Sequence, residues 1–208
     1  MKTELISADH PSAIAHTLDV LNHGGLVVFP TDTVYGLAAL PFQPQSIERL
    51  YIVKGRSSQK AIAILLGNRS HLDQIASAMS PMAMRLAEQF WPGPLTLVVS
   101  RHPHLPSVLT PDNTIGVRMP DHPIALELLR QSGPLAVTSA NLSGRENTTT
   151  AQDVLNQLRG RIHLVLDGGR ISGGVPSTVV DCTGAQPVIL RKGPITLETI
   201  QATLLTEP

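Results

Sequence analysis

The sequence predicts an α/β or α+β fold built on a mixed β-sheet flanked by helices. About seven short strands alternate with about six helices, and several apolar runs are typical of strands that are buried on both faces. The last strands follow one another with no helix between them, which predicts a mixed rather than a purely parallel sheet. With 208 residues, 42% of them hydrophobic, the chain is long and apolar enough to bury a large core. No linker or repeat divides it, so we expect a single domain over 1–208.

The first elements alternate between helix and strand. Apolar residues recur at helical spacing within 11–23, and Gly24-Gly25 ends that helix. The apolar run Leu26–Phe29 follows as a buried strand. A second helix is predicted around Ser46–Val53, and Ala61–Leu66 is predicted to be the next strand.

The third helix has a clear start signal, since Ser80-Pro81 combines a good N-cap with a proline suited to the first turn. It extends to about Phe90, and Trp91–Pro94 ends it. Near a later helix, Thr150 and Asp153 resemble a capping box, with Asp in place of the usual Glu or Gln. The remaining strands are predicted at Leu95–Ser100, Ile115–Met119, Leu135–Thr138, His163–Leu166, Thr178–Asp181 and Val188–Arg191, and the remaining helices near 123–131, 151–159 and 197–205.

Composition argues against several functional classes. Sixteen Lys and Arg balance sixteen Asp and Glu, which disfavours a partner held mainly by counterion release from a polyanion. Three Phe, two Tyr and one Trp are too few for an aromatic platform that stacks single-stranded nucleic acid. The single cysteine, Cys182, excludes an internal disulfide and a multi-cysteine zinc site, so we expect a reducing, cytoplasmic location. Met1–Leu5 lacks a secretory apolar region and no run approaches the roughly 20 apolar residues of a membrane helix, so we expect a soluble protein with no membrane partner.

Two polar segments lie beside predicted strands in the first third of the chain. Pro30–Gly36 directly follows a strand, where open α/β sheets build their sites, and its plainer interpretation is a polar turn. Lys54–Lys60 places three cations within seven residues, and Gly55 permits close backbone approach. Such a loop suits a triphosphate. An ordinary solvated basic loop is an equally good interpretation of this segment alone.

Two further groups of polar residues occur later in the chain. Thr138–Gly144 follows a strand with small hydroxyls and an amide, which suit phosphate oxygens or a base edge, or else a helix cap or turn. Thr114 and Arg118 are four residues apart, so on a strand their side chains share a face. An arginine on an apolar strand needs an anionic partner, which is either a structural carboxylate or a ligand carboxylate. Ser177 and Arg191 lie at the ends of the last two strands.

Other sites have weaker support. Neither the Walker A pattern nor the G-x-G-x-x-G fingerprint occurs, and there is no G-x-S-x-G nucleophile motif. His102-Pro103-His104 is the only close pair among eight histidines and lacks an acidic or cysteine partner for a metal. Cys182 is predicted to lie in an apolar strand as a buried, inert thiol.

Six segments together carry a family signature: PTDTVYGL at 30–37, KGRSSQKAIAIL at 54–65, TIGVRMPDHP at 114–123, TSANLSG at 138–144, STVVD at 177–181 and ILRKG at 189–193. In this order they resemble the YrdC/TsaC family of threonylcarbamoyladenylate synthases, in its short, single-domain form, over a core of about 11–195. The resemblance implies a twisted mixed sheet flanked by helices around a basic concave pocket. It also implies an enzyme that converts ATP, L-threonine and bicarbonate to threonylcarbamoyl-AMP and pyrophosphate, with Mg²⁺ on the phosphates. A separate transfer complex would then move the threonylcarbamoyl group to tRNA.

The resemblance also assigns roles to individual residues. The K-x-R and S-x-N pairs, Lys54 with Arg56 and Ser139 with Asn141, would be catalytic. ATP contacts are implied for Arg56, Lys60, Thr114, Ser139, Asn141, Thr149 and Arg191, and threonine contacts for Thr33, Arg118, Thr138 and Ser177. No protein side chain is expected to bind the metal. Leu65 departs from the histidine of longer relatives, which puts a threonine contact from that position in question.

Two alternatives remain at this point. Some relatives have a basic concavity suited to double-stranded RNA, so a module that binds RNA or tRNA weakly with little catalysis is one of them. The other is a carbamoyl-transfer relative, and the absence of its further segments from 208 residues argues against it.

Overall fold

The computed structural model describes residues 1–205, and eleven strands in this part of the chain form one sheet. In chain order the strands are β1 (Glu4–Ser7), β2 (Val27–Phe29), β3 (Gly36–Ala39), β4 (Ala63–Leu65), β5 (Ala76–Ala78), β6 (Leu95–Arg101), β7 (Thr114–Arg118), β8 (Leu135–Ser139), β9 (Leu164–Asp167), β10 (Thr178–Asp181) and β11 (Val188–Arg191). Their spatial order is β1-β9-β2-β3-β8-β4-β7-β6-β10-β11, and β5 pairs with β6.

The sheet is mixed, as the sequence predicts. The pairs β1/β9, β2/β9, β4/β7 and β6/β10 are parallel, and the other pairs are antiparallel. The last two strands, β10 and β11, pair antiparallel across their short connection, which is the feature on which the prediction rested. The fold class is therefore confirmed.

Six α-helices in the described residues correspond to the six predicted ones: α1 (Ala13–Asn22), α2 (Pro44–Lys54), α3 (Pro81–Phe90), α4 (Pro123–Ser132), α5 (Ala151–Leu158) and α6 (Leu197–Leu205). Helix α2 starts earlier than predicted because Pro44 occupies its first turn, and it ends at Gly55, whose φ of 58° suits glycine. The capping box before α5 is present, since Thr150 and Asp153 bond to each other's backbone N–H groups. None of these helices is long and apolar enough to span a bilayer.

Successive residues of the central strands alternate between two buried layers. On β2, Val28 packs in the larger layer with α2, α3 and α5, whereas Val27 and Phe29 pack in the smaller one. The smaller layer is completed by α1 and α4, through residues such as Leu21 and Leu128. The sheet is therefore covered on both faces, which explains the continuous apolar runs.

Three strands are absent from the prediction. β3 is Gly-Leu-Ala-Ala, whose small residues give no strand signal, and its first residue, Gly36, is also the last residue of the predicted Pro30–Gly36 turn. β1 is mostly exposed and has only two apolar residues, and β5 has three residues in all. These strands form because partners are already in place: β1 pairs with β9, and β5 with β6.

Candidate active site

A cavity of about 290 Å³ lies on one face of the sheet, next to the layer of α1 and α4. Leu65 and Val137 connect the two, since they pack in that layer and also line the cavity wall. Small residues leave the space open. Gly116 faces the cavity on β7, and a Cβ there would lie 3.1 Å from Cγ2 of Thr96 and 3.5 Å from Cβ of Ala63.

The cavity collects residues that are far apart in the sequence. Seven of the predicted site residues line it: Thr33, Arg56, Arg118, Thr138, Ser139, Ser177 and Arg191. They come from all six motif segments, so the fold brings those segments together. The other predicted residues, Lys54, Lys60, Thr114, Asn141 and Thr149, are not part of its lining.

Arg118 ends β7 as a buried cation at the inner wall of the cavity. Its Nη2 forms an ion pair with Asp32, its Nη1 donates to Oγ1 of Thr33 at 2.9 Å, and its Nε donates to the carbonyl oxygen of Gly93 at 2.9 Å. Burial lowers the pKa of Arg118 below its ordinary value, and the Asp32 carboxylate opposes that shift. The anionic partner that the sequence required is thus a structural carboxylate. One N–H on each Nη remains for a ligand.

Arg191 ends β11 and is held against the start of β10. Its Nε and Nη2 donate to the carbonyl oxygen of Ser177 at 3.0 and 2.9 Å, and Nη2 also donates to Oγ of Ser177 at 3.0 Å. The same hydroxyl lies 2.7 Å from Oγ1 of Thr96. Burial, followed by repulsion from Arg56, lowers the pKa of Arg191. The two guanidinium groups are therefore close enough to influence each other.

Arg56 lies in the loop after α2 and is half-buried. Its Nη2 donates to the carbonyl oxygen of Ala61 at 2.9 Å, and its Nε donates to that of Lys60 at 3.3 Å. Tyr51 also donates to the Lys60 carbonyl oxygen, at 3.1 Å. The Lys54–Lys60 loop is therefore held by hydrogen bonds to carbonyl oxygens at its own end, and Arg56 is the residue of this loop that lines the cavity.

Lys54 and Asn141 contact each other behind the cavity. Lys54 is the last residue of α2 and only 2% exposed, and Asn141 is also buried. Nζ of Lys54 donates to the carbonyl oxygens of Ser139 and Asn141 and to Oδ1 of Asn141. Nδ2 of Asn141 donates to the carbonyl oxygens of Leu142 and Arg145. Their side chains therefore bind the protein's own backbone.

The three remaining predicted residues lie elsewhere. Lys60 is exposed on the loop after α2. Thr114 pairs with Ser100 at the opposite end of β7 from Arg118. Thr149 precedes α5, where its backbone N–H donates to Asp153 and its hydroxyl accepts from Arg170 at 3.2 Å.

Sequence reasoning missed several residues of this site. Asp32 was passed over although it stands within the Pro30–Gly36 segment, and the need of Arg118 for an anion was the signal for it. Gly116 was also missed, although an isolated glycine in a strand indicates a close approach. Thr31 and Thr96 carried no distinctive signal. Leu65, left in question by the sequence, is an apolar part of the wall.

The lining has three arginines and several hydroxyls but no carboxylate. The hydroxyl of Ser139 has no hydrogen-bond partner within residues 1–205, so it is free to bind a ligand. Repulsion among the arginines is relieved by an anion, and guanidinium groups bind phosphate and carboxylate oxygens in pairs. Within the described residues, no three His, Cys, Asp or Glu side chains gather as they would to ligate a metal ion. Cys182, just after β10, is buried and remote from this chemistry, and burial raises its pKa to about 12.

Comparison with known proteins gives this geometry a context. Residues 19–193 match the Sua5/YciO/YrdC family model, which is described as "Telomere recombination". The chain is 40% identical over 205 residues to the threonylcarbamoyl-AMP synthase of Bacillus subtilis, covering 97% of this chain and 59% of that protein. It is 39% identical over 192 residues to a putative threonylcarbamoyl-AMP synthase of Mycobacterium tuberculosis, covering 92% and 88%. The chain thus spans little more than half of some relatives and most of others.

Solved structures show the same architecture. The structure of Pyrococcus abyssi Sua5 complexed with L-threonine superposes with a TM-score of 0.92 at 36% identity, covering 98% of this chain and 61% of that one. Escherichia coli YciO superposes with a TM-score of 0.84 at 27% identity, covering 96% and 98%. The family model covers most of the chain, the solved structures superpose over nearly all of it, and the motif segments meet at one cavity. This chain is therefore a member of the Sua5/YciO/YrdC family.

Proposed function

We propose that this protein is a threonylcarbamoyl-AMP synthase, a nucleotidyltransferase that uses ATP, L-threonine and bicarbonate. The observation that carries the proposal is the cavity in which three arginines and several free or bridging hydroxyls meet without a carboxylate. Two anionic substrates, a triphosphate and an amino acid carboxylate, match that set of donors. The names of the relatives and the threonine complex of the Pyrococcus protein support the same reaction.

The proposed subsites adjoin each other within the lining. Arg118, with Thr33, would bind the threonine carboxylate through its two unused N–H groups, and Thr138 and Ser177 would complete that subsite, with Ser177 bonded to Arg191 of the other subsite. Arg56, Ser139 and Arg191 would bind ATP, whose phosphates would relieve the repulsion between the two arginines. Lys60, Thr114 and Thr149 lie outside the lining, so as ATP contacts they would have to act from the rim or after a conformational change.

The chemistry needs positioning more than a protein nucleophile. The threonine amine adds to bicarbonate, water leaves, and a carbamate forms. A carbamate oxygen then attacks the α-phosphorus of ATP, the bond to the bridging oxygen breaks, and pyrophosphate leaves with the electron pair. Arg56 and Arg191 are placed to neutralise the charge that develops on the phosphates. The donors of this site suit phosphates rather than Mg²⁺, so we propose that the metal is carried by ATP.

The proposal extends to the cellular setting. A single YrdC-like domain over 1–208 in the cytoplasm would release an activated threonylcarbamoyl group, and a tRNA-modifying transfer complex would consume it. The continuous sheet, which contributes all the strands around the cavity, supports a single catalytic unit.

Pyrophosphate release that depends on both threonine and bicarbonate tests the proposal, with mass spectrometry to identify threonylcarbamoyl-AMP. We expect Arg56→Ala and Ser139→Ala to reduce this release by at least about 100-fold, as the removal of charge-stabilising donors does elsewhere. Arg161→Ala and Ser12→Ala, both exposed and distant from the cavity, are the matched controls. Wild-type rates for the first two variants would exclude the site assignment, and AMP as the only product would exclude the reaction.

A further inference from the structure

Lys54 has no hydrogen-bond donor left for a substrate. A protonated lysine has three N–H groups, and its Nζ has three acceptors: the carbonyl oxygen of Ser139, that of Asn141 at 2.5 Å and Oδ1 of Asn141 at 3.3 Å. The side chain is 2% exposed and is not part of the cavity lining. A direct contact with a phosphate would therefore require Lys54 to give up bonds that it already makes.

Lys54 both donates hydrogen bonds to the segment at the end of β8 and accepts one from it, so it links that segment to α2. The carbonyl oxygen of Lys54 accepts from the backbone N–H of Ser143 at 2.9 Å. The N–H of Ala140 donates to the carbonyl oxygen of Tyr35 at 2.7 Å, which fixes the same segment from β3. With these bonds in place, Ser139 directs a hydroxyl with no other described partner into the cavity.

The electrostatics of Lys54 fit a structural contact of this kind. Burial, followed by repulsion from Arg56, lowers its pKa to about 7. Its acceptors are carbonyl and amide oxygens rather than carboxylates. These oriented dipoles offset only part of the cost of burying the ammonium, and they are available only while the Ser139–Asn141 backbone keeps its conformation.

We propose that Lys54 is a positioning residue, which holds the backbone of Ser139 and Asn141 so that the Ser139 hydroxyl faces the cavity, and that it does not bind the substrate itself. The role in nucleotide binding rests on the proposed function. The anchoring of the segment does not, because it is a property of the free protein.

The first experiment measures hydrogen–deuterium exchange in the free protein. In Lys54→Met we expect the amides of Ala140 and Ser143 to exchange roughly tenfold or more faster, because the charge-assisted bonds to their segment are lost. Amides at the β6–β7 pair should be unchanged, and Lys2→Met, an exposed lysine far from the site, is the matched control. Lys54→Gln keeps two N–H donors and should give a smaller effect, so it serves if Lys54→Met does not fold. Unchanged exchange at these amides in a folded variant would overturn the anchoring.

The second experiment is a double-mutant cycle on the dissociation constant of ATP, measured by calorimetry with threonine present. We expect Lys54→Met to weaken ATP binding roughly tenfold in the wild-type background and less than about twofold in the Ser139→Ala background. Additive effects would indicate that Lys54 binds ATP independently and would overturn the positioning role. Lower stability with unchanged ATP affinity would overturn it as well. If no variant or wild-type protein binds ATP, the proposed function fails, and the exchange experiment still decides whether Lys54 anchors the segment.

Discussion

Arg118 has the anionic partner that its sequence context predicts, and it keeps N–H groups for a ligand as well. A buried arginine needs an anion, and the sequence left a structural carboxylate and a ligand carboxylate as alternatives. Asp32 supplies the first, yet it engages only one N–H of the guanidinium group. Gly93 and Thr33 engage two more, so the group is held rigidly with two N–H groups unused. One side of the arginine is structural, and the other is available to a ligand.

Arg118→Lys tests that division, because it keeps the charge but removes the planar fork. We expect the KM for threonine to rise roughly tenfold or more, since a bidentate carboxylate contact is lost, while the KM for ATP changes less than about twofold. Steady-state pyrophosphate release measures both constants, and Arg161→Lys is the control. The reverse pattern, with ATP affected more, would mean that the two subsites are exchanged.

At the scale of elements, the sequence predicts best where local chemistry and tertiary structure agree. The capping box of α5 was predicted because Thr150 and Asp153 satisfy backbone donors within four residues of themselves. The strands β1, β3 and β5 were not predicted because small or polar residues form strands there only through pairing with distant partners. The site residues, too, were predictable where the local sequence carries the signal and not where distant contacts decide their position. The order of the motifs predicted that Arg56, Arg118 and Ser139 lie together. The burial of the Lys54 and Asn141 side chains against each other could not be predicted in this way, because it depends on contacts between segments that are more than 80 residues apart.

The capping box gives a stability prediction. Thr150→Ala removes the side-chain acceptor for the N–H of Asp153 and should lower the free energy of unfolding by about 0.5–2 kcal/mol, as measured by urea denaturation. Hydrogen bonds, first from Thr150, lower the pKa of Asp153 below its ordinary 3.8, so its contribution is present above that value and is lost as the pH falls through the folded pKa. The difference between wild type and variant should therefore shrink below about pH 4. Gln152→Ala, on the exposed face of α5, is the control, and an equal loss in both variants would contradict the capping role.

The connection between β9 and β10 depends on Gly173. A Cβ at this position would overlap the carbonyl oxygens of Asp32 and Thr33, and the next N–H, from Gly174, donates to the Thr33 oxygen at 2.5 Å. Gly173→Ala should push this connection away from Thr33, lower the melting temperature and raise the KM for threonine several-fold. Gly184→Ala, where a Cβ would make only an ordinary contact of 3.9 Å with the carbonyl oxygen of Gln186, should change neither. A Gly173→Ala protein with wild-type stability and KM would show that the close approach does not matter.

At the scale of the whole molecule, the balance of charges and their placement have to be considered together. Sixteen cations and sixteen anions give no net attraction to a polyanion, yet three arginines gather at one cavity. The cavity lies on one face of the sheet beside the layer of α1 and α4, where a small anion can contact all three arginines at once, whereas Arg118 at the inner wall is buried. Local charge thus favours a nucleotide over a nucleic acid. That inference favours the proposed synthase over the alternative of an RNA-binding module with little catalysis.

Salt dependence of RNA binding tests this conclusion. Arg118 is buried against Asp32, so of the three arginines in the lining we expect a duplex at the cavity mouth to contact Arg56 and Arg191, together with Lys60, which is exposed on the loop that carries Arg56. Each phosphate neutralised contributes about −0.9 to the slope of log affinity against log salt, so the slope should be no steeper than about −3. We expect the weak binding of labelled double-stranded RNA at about 50 mM salt, followed by fluorescence anisotropy, to be lost at about 200 mM, while pyrophosphate release continues. A slope several units steeper, in a protein that releases no pyrophosphate with threonine and bicarbonate, would reverse the conclusion. The cations would then act together as an RNA-binding surface, and the cavity would be incidental to it.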